Sequence, residues 1–552
     1  MNAPKRAKIE TILAIPRLLL PAVFAVLLTF AILLQWLGQA YHCEFGAYPD
    51  ESAHFITGLM IRDYIAAGCP ATPLKYAEEY YVHYPKVAFG MWGPLLHITE
   101  GVWMLVFPPS RVSVLVLMAA IASLTATLLF WVLAKEFGGL LGLVAGFVFL
   151  MAPTVQAFTG MVMADGLVAL WDLGAVLAFG RYLNSREWKY SLWFGAFACL
   201  SILTKGNGGA LLLLPLFAIL LTRRFALLKE RAFWAGVALI IAVGGPWQYY
   251  SARMLSGILD RRPGWTFFPE YTAWLFTMAG AAFLPVLLLG FYSRIVAPSR
   301  KGGIDGKWAS AAALILSVWA FHCLIPAAAP EPRYMIAVIP PILMFSIAGM
   351  ETAAGWVRIS APLRYRSWAV AAVLLALFLA TTFSIRRKSY HGFDQVAERL
   401  GQPEYKHSAI LVSSEADGEG MLIAEIAMRE DRPAHFVLRA SKMLSQSDWN
   451  AMRYHLLYNT PGEVMKFLGS VPVELVVIDN QAGELPLLHH KLLKQTIAAF
   501  PGQWEHIGSF PVPPAVKPRP GIDVYRLKPA AGKSVGRIRI NLPYTLGRAI
   551  ER

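Results

Sequence analysis

The stretch FGMWGPLLHITEGVWMLVF, residues 89–107, decides how this chain is threaded. It is apolar enough to suggest a membrane crossing, yet it contains Gly93, Pro94, His97 and Glu100. Whether it crosses sets the side on which every later loop falls. Working outward, apolar helical runs lie near 18–37, 111–134, 139–154, 166–183, 190–203, 208–222, 232–250, 271–293, 308–325, 334–354 and 368–384. These eleven runs approach the ~20 residues that a helix needs to cross a bilayer. With 56% hydrophobic and 15% charged residues, the composition excludes an ordinary soluble globular protein.

Positive charge decides the threading, because cytoplasmic loops are enriched in Lys and Arg. If 89–107 stays on one side, the cytoplasmic loops hold Lys135; Arg186 and Lys189; Arg223, Arg224, Lys229 and Arg231; Arg294, Arg300, Lys301 and Lys307; and Arg358, Arg364 and Arg366. The opposite side then holds Lys205, Arg333 and three arginines within 251–270. If 89–107 crossed, all those basic loops would face outward. The first run also follows a basic start, with Lys5, Arg6, Lys8 and Arg17. The expected arrangement is therefore a multi-pass protein of the inner (plasma) membrane with a cytoplasmic N-terminus. Residues 38–110 form one large extracytoplasmic loop, and the C-terminal part is extracytoplasmic. The net charge of +15 follows from such loops, so no nucleic-acid partner is expected.

Residues 1–385 are read as the membrane domain and 386–552 as a soluble α/β domain. SAILVSS (408–414), HFVLRAS (435–441) and ELVVIDN (474–480) look like buried strands, with GEGMLIAEIAMRE (418–430) as a helix between and IDVYRL (522–527) as a closing strand. Cys199 and Cys323 lie in apolar runs. Cys43 and Cys69 share the first polar loop and are a disulfide candidate if that loop lies outside the cytoplasm.

Ionisable residues gather on the outer side. The first excursion has Asp50, Glu51, His54, His83 and Lys86, with His97 in the ambiguous stretch; later ones contribute Asp165, Lys205, Arg333 and Tyr334. Ionisable groups at the membrane edge are costly and commonly functional. A carboxylate can take the proton of an attacking hydroxyl. Cations can hold and neutralise a departing phosphate. SAHFITGLMIRDYIAAG (52–68) is expected to be an amphipathic helix capped by Asp50 or Ser52, which puts the acids at a helix N-terminus. A transporter or lipid flippase is the alternative. It would show paired repeats and mid-bilayer charges; no repeat is seen, and Asp172 is the main charge within a run.

A DE pair after the first span, a long first external loop, and then MAD, TKG and RY before PP resemble the GT-C membrane glycosyltransferases. The similar branch contains protein O-mannosyltransferases, the aminoarabinose transferase of lipid A and the Rgt-type transferases. The resemblance covers about 30–350 and is carried by ILTKGNGGALLLLPL (202–216) and RYMIAVIPPILMFSIAGM (333–350). It implies the GT-C fold, with 89–107 as a helix inside the loop. It implies transfer of a sugar from a polyprenyl-phosphate donor to a lipid, glycan or protein acceptor hydroxyl, with inversion. Asp50 would be the base, Glu51 would serve acceptor or metal, and Asp165 matches the second-loop acid. The resemblance fixes no cofactor; some members use a divalent cation near the phosphate, which Glu51 and Asp165 could hold. One departure stands out. Where the family has a Lys or His before two prolines, this chain has Met91 or Trp92 and then Gly93–Pro94, so Lys86 or His83 could stand in.

Overall fold

Helix length separates what can cross from what cannot. The helix formed by the deciding stretch is Leu95–Val106, 12 residues. At 1.5 Å per residue it is about 18 Å long, well short of the ~30 Å hydrocarbon core. Among the described residues, seven helices are long and apolar enough to span: Leu19–Leu37, Arg111–Phe137, Asp165–Ser185, Arg231–Met254, Ala281–Arg300, Gly306–Leu324 and Pro332–Trp356. Gly139–Met151 and Pro153–Thr159 make an eighth if counted as one span bent by 65°; Pro153 at the break cannot continue the first helix's hydrogen bonding. The runs at 190–203 and 208–222 lie in shorter helices, and that at 368–384 lies in the helix Leu363–Thr381. The run at 271–293 breaks at Gly280 (φ 104°), where only glycine is comfortable, and the span starts at Ala281.

This computed structural model describes residues 19–255, 261–278, 280–300, 303–356, 363–447, 453–481, 487–512, 519–528, 538–542 and 548–551. The basic start (Lys5, Arg6, Lys8, Arg17), Lys301, Arg358 and the side chains of Arg364 and Arg366 lie outside the described residues.

Two large hydrophobic cores organise the described residues, with a small third one around Leu96, Leu117 and Leu167. One joins the spans. The other is shared between the first-loop helices and the C-terminal segment, uniting Phe45, Phe55, Ile56 and Tyr84 with Phe393, Ile410, Met421 and Val476. The C-terminal sheet has five strands in the order Phe436–Arg439, Ala409–Ser413, Val473–Asp479, Arg519–Leu527 and Trp504–Val512. The first three are parallel and the last two antiparallel. Buried parallel strands account for the continuous apolar runs AILVS and VELVVID.

Polar clamps fix this sheet domain onto the loop. Glu44 accepts from the backbone N–H groups of His391 (3.0 Å) and Phe393 (2.9 Å). Arg111 pairs with Glu425, and Tyr84 donates to Glu430. The disulfide expectation is corrected here: Cys43 is buried, Cys69 is exposed, and both are free. Helix Pro49–Ala66 lies between them, and its 18 residues span about 27 Å. A disulfide needs Cα atoms within about 7 Å.

Candidate active site

The first turn of helix Pro49–Ala66 sets the site. Its N-cap is Tyr48, in extended conformation (φ −143°, ψ 146°), and Pro49 follows with its φ pre-set for a helix. Neither Asp50 nor Ser52 is the cap; both are inside the helix. Successive residues on a helix point about 100° apart, so Asp50 and Glu51 go different ways. Asp50 lines a cavity of about 430 Å³ and accepts from Arg333 Nη2 at 3.0 Å. Its other oxygen makes no hydrogen bond among the described residues. Glu51 is fully buried, away from that cavity. It accepts from Lys388 Nζ (2.7 Å), Ala47 N (3.1 Å) and Val162 N (3.3 Å). The helix is buried on all sides from Asp50 to Leu59, rather than along one face, because the sheet domain covers it.

The second acid, Asp165, begins the helix Asp165–Ser185, and Lys205 Nζ holds both its oxygens at 2.8 and 3.0 Å. Lys205 lies 4.9 Å from the centre of the Tyr334 ring. Arg333 sits over Tyr48 (4.7 Å) and beside Tyr334 (5.5 Å). Asp50, Lys205, Arg333 and Tyr334 all line the one cavity, with Asp165 behind Lys205. Two acid–cation pairs thus face a single space, from segments separated by more than 280 residues.

The other expected residues support this arrangement from outside the cavity lining. His54 Nδ1 and His97 Nε2 are 2.9 Å apart, with the Trp92 ring 4.3 Å from His54 and tilted to it by 37°. Burial pushes His97 down to about 4 and holds His54 well below the ordinary imidazole value; Lys205 and Arg333 also repel a charge on His54. Lys86 donates to the carbonyls of Pro49 (3.2 Å) and Ala416 (3.0 Å), tying the turn that bears Asp50 to the sheet domain, and its burial lowers its pKa. His83 bonds to the His435 carbonyl at 2.9 Å and stacks on Phe436. Neither Lys86 nor His83 lines the cavity in place of the missing family residue.

Other cavity residues were not singled out from sequence. His322 is sandwiched between Tyr271 and Tyr334, each 5.1 Å away, and its Nε2 lacks a partner among the described residues. Its signal was a polar residue inside an apolar run. Arg261 is a third cation on the wall, and Glu331 accepts from Tyr48 (2.8 Å). Gly93 lets the loop approach the turn before Lys205: a Cβ there would lie 1.9 Å from the Leu203 carbonyl oxygen.

Glu51 and Asp165 do not fit a divalent cation as they stand. Each is already neutralised by a buried lysine, and Glu51's oxygens are filled by backbone N–H groups. No group of three or more His, Cys, Asp or Glu suited to a metal ion occurs among the described residues.

The multi-pass bundle, the short helices of the first loop and the sheet domain packed on those helices make a fold shared with solved membrane glycosyltransferases. The comparisons agree on this fold. ArnT from Cupriavidus metallidurans in the apo state superposes with a TM-score of 0.55 at 13% identity, covering 91% of this chain and 97% of that one. Its structure bound to undecaprenyl phosphate gives 0.55 at 14%, with the same coverage. The Archaeoglobus fulgidus oligosaccharyltransferase, tethered to an acceptor peptide, gives 0.53 at 11%, covering 90% and 73%. The sequence model of the dolichyl-phosphate-mannose-protein mannosyltransferase family matches residues 98–250, a stretch that includes Asp165 and Lys205 but not Asp50 or Arg333. No curated protein is significantly similar in sequence.

Proposed function

We propose that this protein is a membrane glycosyltransferase that moves a sugar from a polyprenyl-phosphate carrier to a hydroxyl on a lipid, glycan or protein acceptor. The observation that carries this reading is the Asp50–Arg333 pair facing Lys205–Asp165 across one cavity. The acceptor hydroxyl approaches the unbonded oxygen of Asp50, which takes its proton. The acceptor oxygen bonds to the anomeric carbon as the bond from that carbon to the phosphate oxygen breaks, with inversion. The carrier phosphate leaves with the electron pair. Lys205, on its aromatic platform, faces that phosphate. As Asp50 becomes protonated its hold on Arg333 weakens, which frees the guanidinium to neutralise the departing charge. The likeness to ArnT bound to undecaprenyl phosphate supports a carrier of that class. In this reading the cavity opens on the extracytoplasmic side of the plasma membrane, and the sheet domain helps to hold the acceptor.

The test is to incubate the purified protein with a panel of polyprenyl-phosphate sugars and measure released carrier phosphate. Asp50→Asn should fold normally and lose activity by about 10²–10⁴-fold, the usual contribution of a general base. Release at the wild-type rate by that variant would remove Asp50 from the chemistry.

A further inference from the structure

A second cavity, of about 590 Å³, lies at the other end of the bundle. Helices Arg111–Phe137 and Asp165–Ser185 begin at the active-site end, and Gly306–Leu324 finishes there. Lys135, Arg181 and Lys307 therefore sit one span-length away from the catalytic acids. With Arg294 they put four cations on the cavity wall, between the faces of Trp131 and Trp308.

The acids there do not balance these charges. Glu136 is shared between Arg294 (3.0 Å) and Lys307. Asp305 is occupied as a helix cap, accepting from Lys307 N (2.9 Å) and from the Asn184 amide (3.0 Å). Lys135 and Arg181 have no ion-pair partner among the described residues. They rest on Trp131, at 3.6 and 5.7 Å from its ring centre. Arg294 Nε is buried with no hydrogen-bond partner among the described residues. Basic residues that merely mark a cytoplasmic flank would stand apart in water. These converge on one cavity, where Arg294 Nε has no acceptor among the described residues.

We propose that this cavity binds the phosphate of an anionic membrane lipid. Phosphate oxygens would accept from Lys135 and Arg181 and fill the empty donor of Arg294. A lipid is favoured over free phosphate because the cavity sits where spans end, with Trp131 and Trp308 in its wall. Basic pockets between spans suit lipid headgroups, and tryptophan is enriched at that depth. The inference is independent of the catalytic reading.

Native mass spectrometry of the delipidated full-length protein tests it. Phosphatidylglycerol, phosphatidylcholine of the same chains, and undecaprenyl phosphate are added separately. Wild type should retain phosphatidylglycerol over phosphatidylcholine. Lys135→Gln with Arg181→Gln should cut that preference about fivefold per charge removed. Both side chains are exposed, so folding should survive; Lys135→Arg, which keeps the charge, should bind as wild type. Stronger retention of undecaprenyl phosphate, lost in the double variant, would also support the site and identify its occupant as the carrier. Equal retention of the two phospholipids by wild type, or an unchanged preference in the double variant, would overturn the proposal. So would complete displacement of bound lipid by an equal concentration of inorganic phosphate.

Discussion

Glu51 and Lys388 offer a way to separate what holds the turn that bears Asp50 from what is proposed to react. Glu51's side chain is 0% exposed and Lys388's 6%, and Nζ lies 2.7 Å from Oε1. Removing one partner of such a pair strands a buried charge, at a cost of about 3–5 kcal/mol. Glu51→Gln strands the ammonium. Lys388→Met strands a carboxylate left with only the Ala47 and Val162 N–H groups. If the two losses were independent, the double variant would lose about 6–10 kcal/mol. Because neither charge is then stranded, it should instead lie within about 2 kcal/mol of wild type, since neutral replacement of a buried pair is often near neutral. Thermal and denaturant unfolding of the purified protein in detergent, followed by tryptophan fluorescence, gives the stability cycle; carrier-phosphate release gives activity. Both single variants should be destabilised, and the double variant should recover both stability and turnover. Single variants as stable as wild type would refute the clamp. A double variant that folds as wild type but transfers nothing would show that Glu51 takes part in the chemistry.

Arg333→Ala should weaken binding of undecaprenyl phosphate by about 1.5–3 kcal/mol, the value of a hydrogen bond to a charged group, while leaving acceptor affinity alone; equal donor affinity by calorimetry would count against its phosphate role. Gly93→Ala drives a methyl group into the Leu203 carbonyl. It should cost about 1–3 kcal/mol and lower turnover through the Lys205 turn, and an unchanged melting curve would rule out the tight contact. His54 and His97 are buried and neutral, with folded values below that of free imidazole. Their unfolded forms bind protons first as pH falls, so stability is full above about 6.5 and drains away below it. From pH 7.5 to 5.5 the loss is about 1.3 kcal/mol per histidine, and His54→Gln with His97→Gln should flatten that slope.

Much of this was open to reading in the residues, for definite reasons. Spans show through length and apolarity. The loop placement of 89–107 shows through basic residues far from it. Asp50, Asp165, Lys205 and Arg333 stand out as charges at the ends of apolar runs. Glu51 shared that signal, yet it faces away, because the helix begins at Pro49, and the direction of each side chain depends on that start. Its partner Lys388 was visible only as one of a basic run after the last span. His322 was hidden in an apolar segment because its neighbours are aromatic rings rather than charges. The strand Trp504–Val512 was missed because it pairs only with Arg519–Leu527 and much of it is solvent-facing, so it lacks the apolar run that marked the inner strands.

The lysine that secures the catalytic turn follows its glutamate by 337 residues. During biosynthesis the first-loop helices must therefore wait, half assembled, while every later span is made and inserted. The turn bearing Asp50 acquires its final shape only when the tail of the polypeptide folds back over it. A chain that stops before Lys388 leaves the buried carboxylate of Glu51 without its ammonium partner.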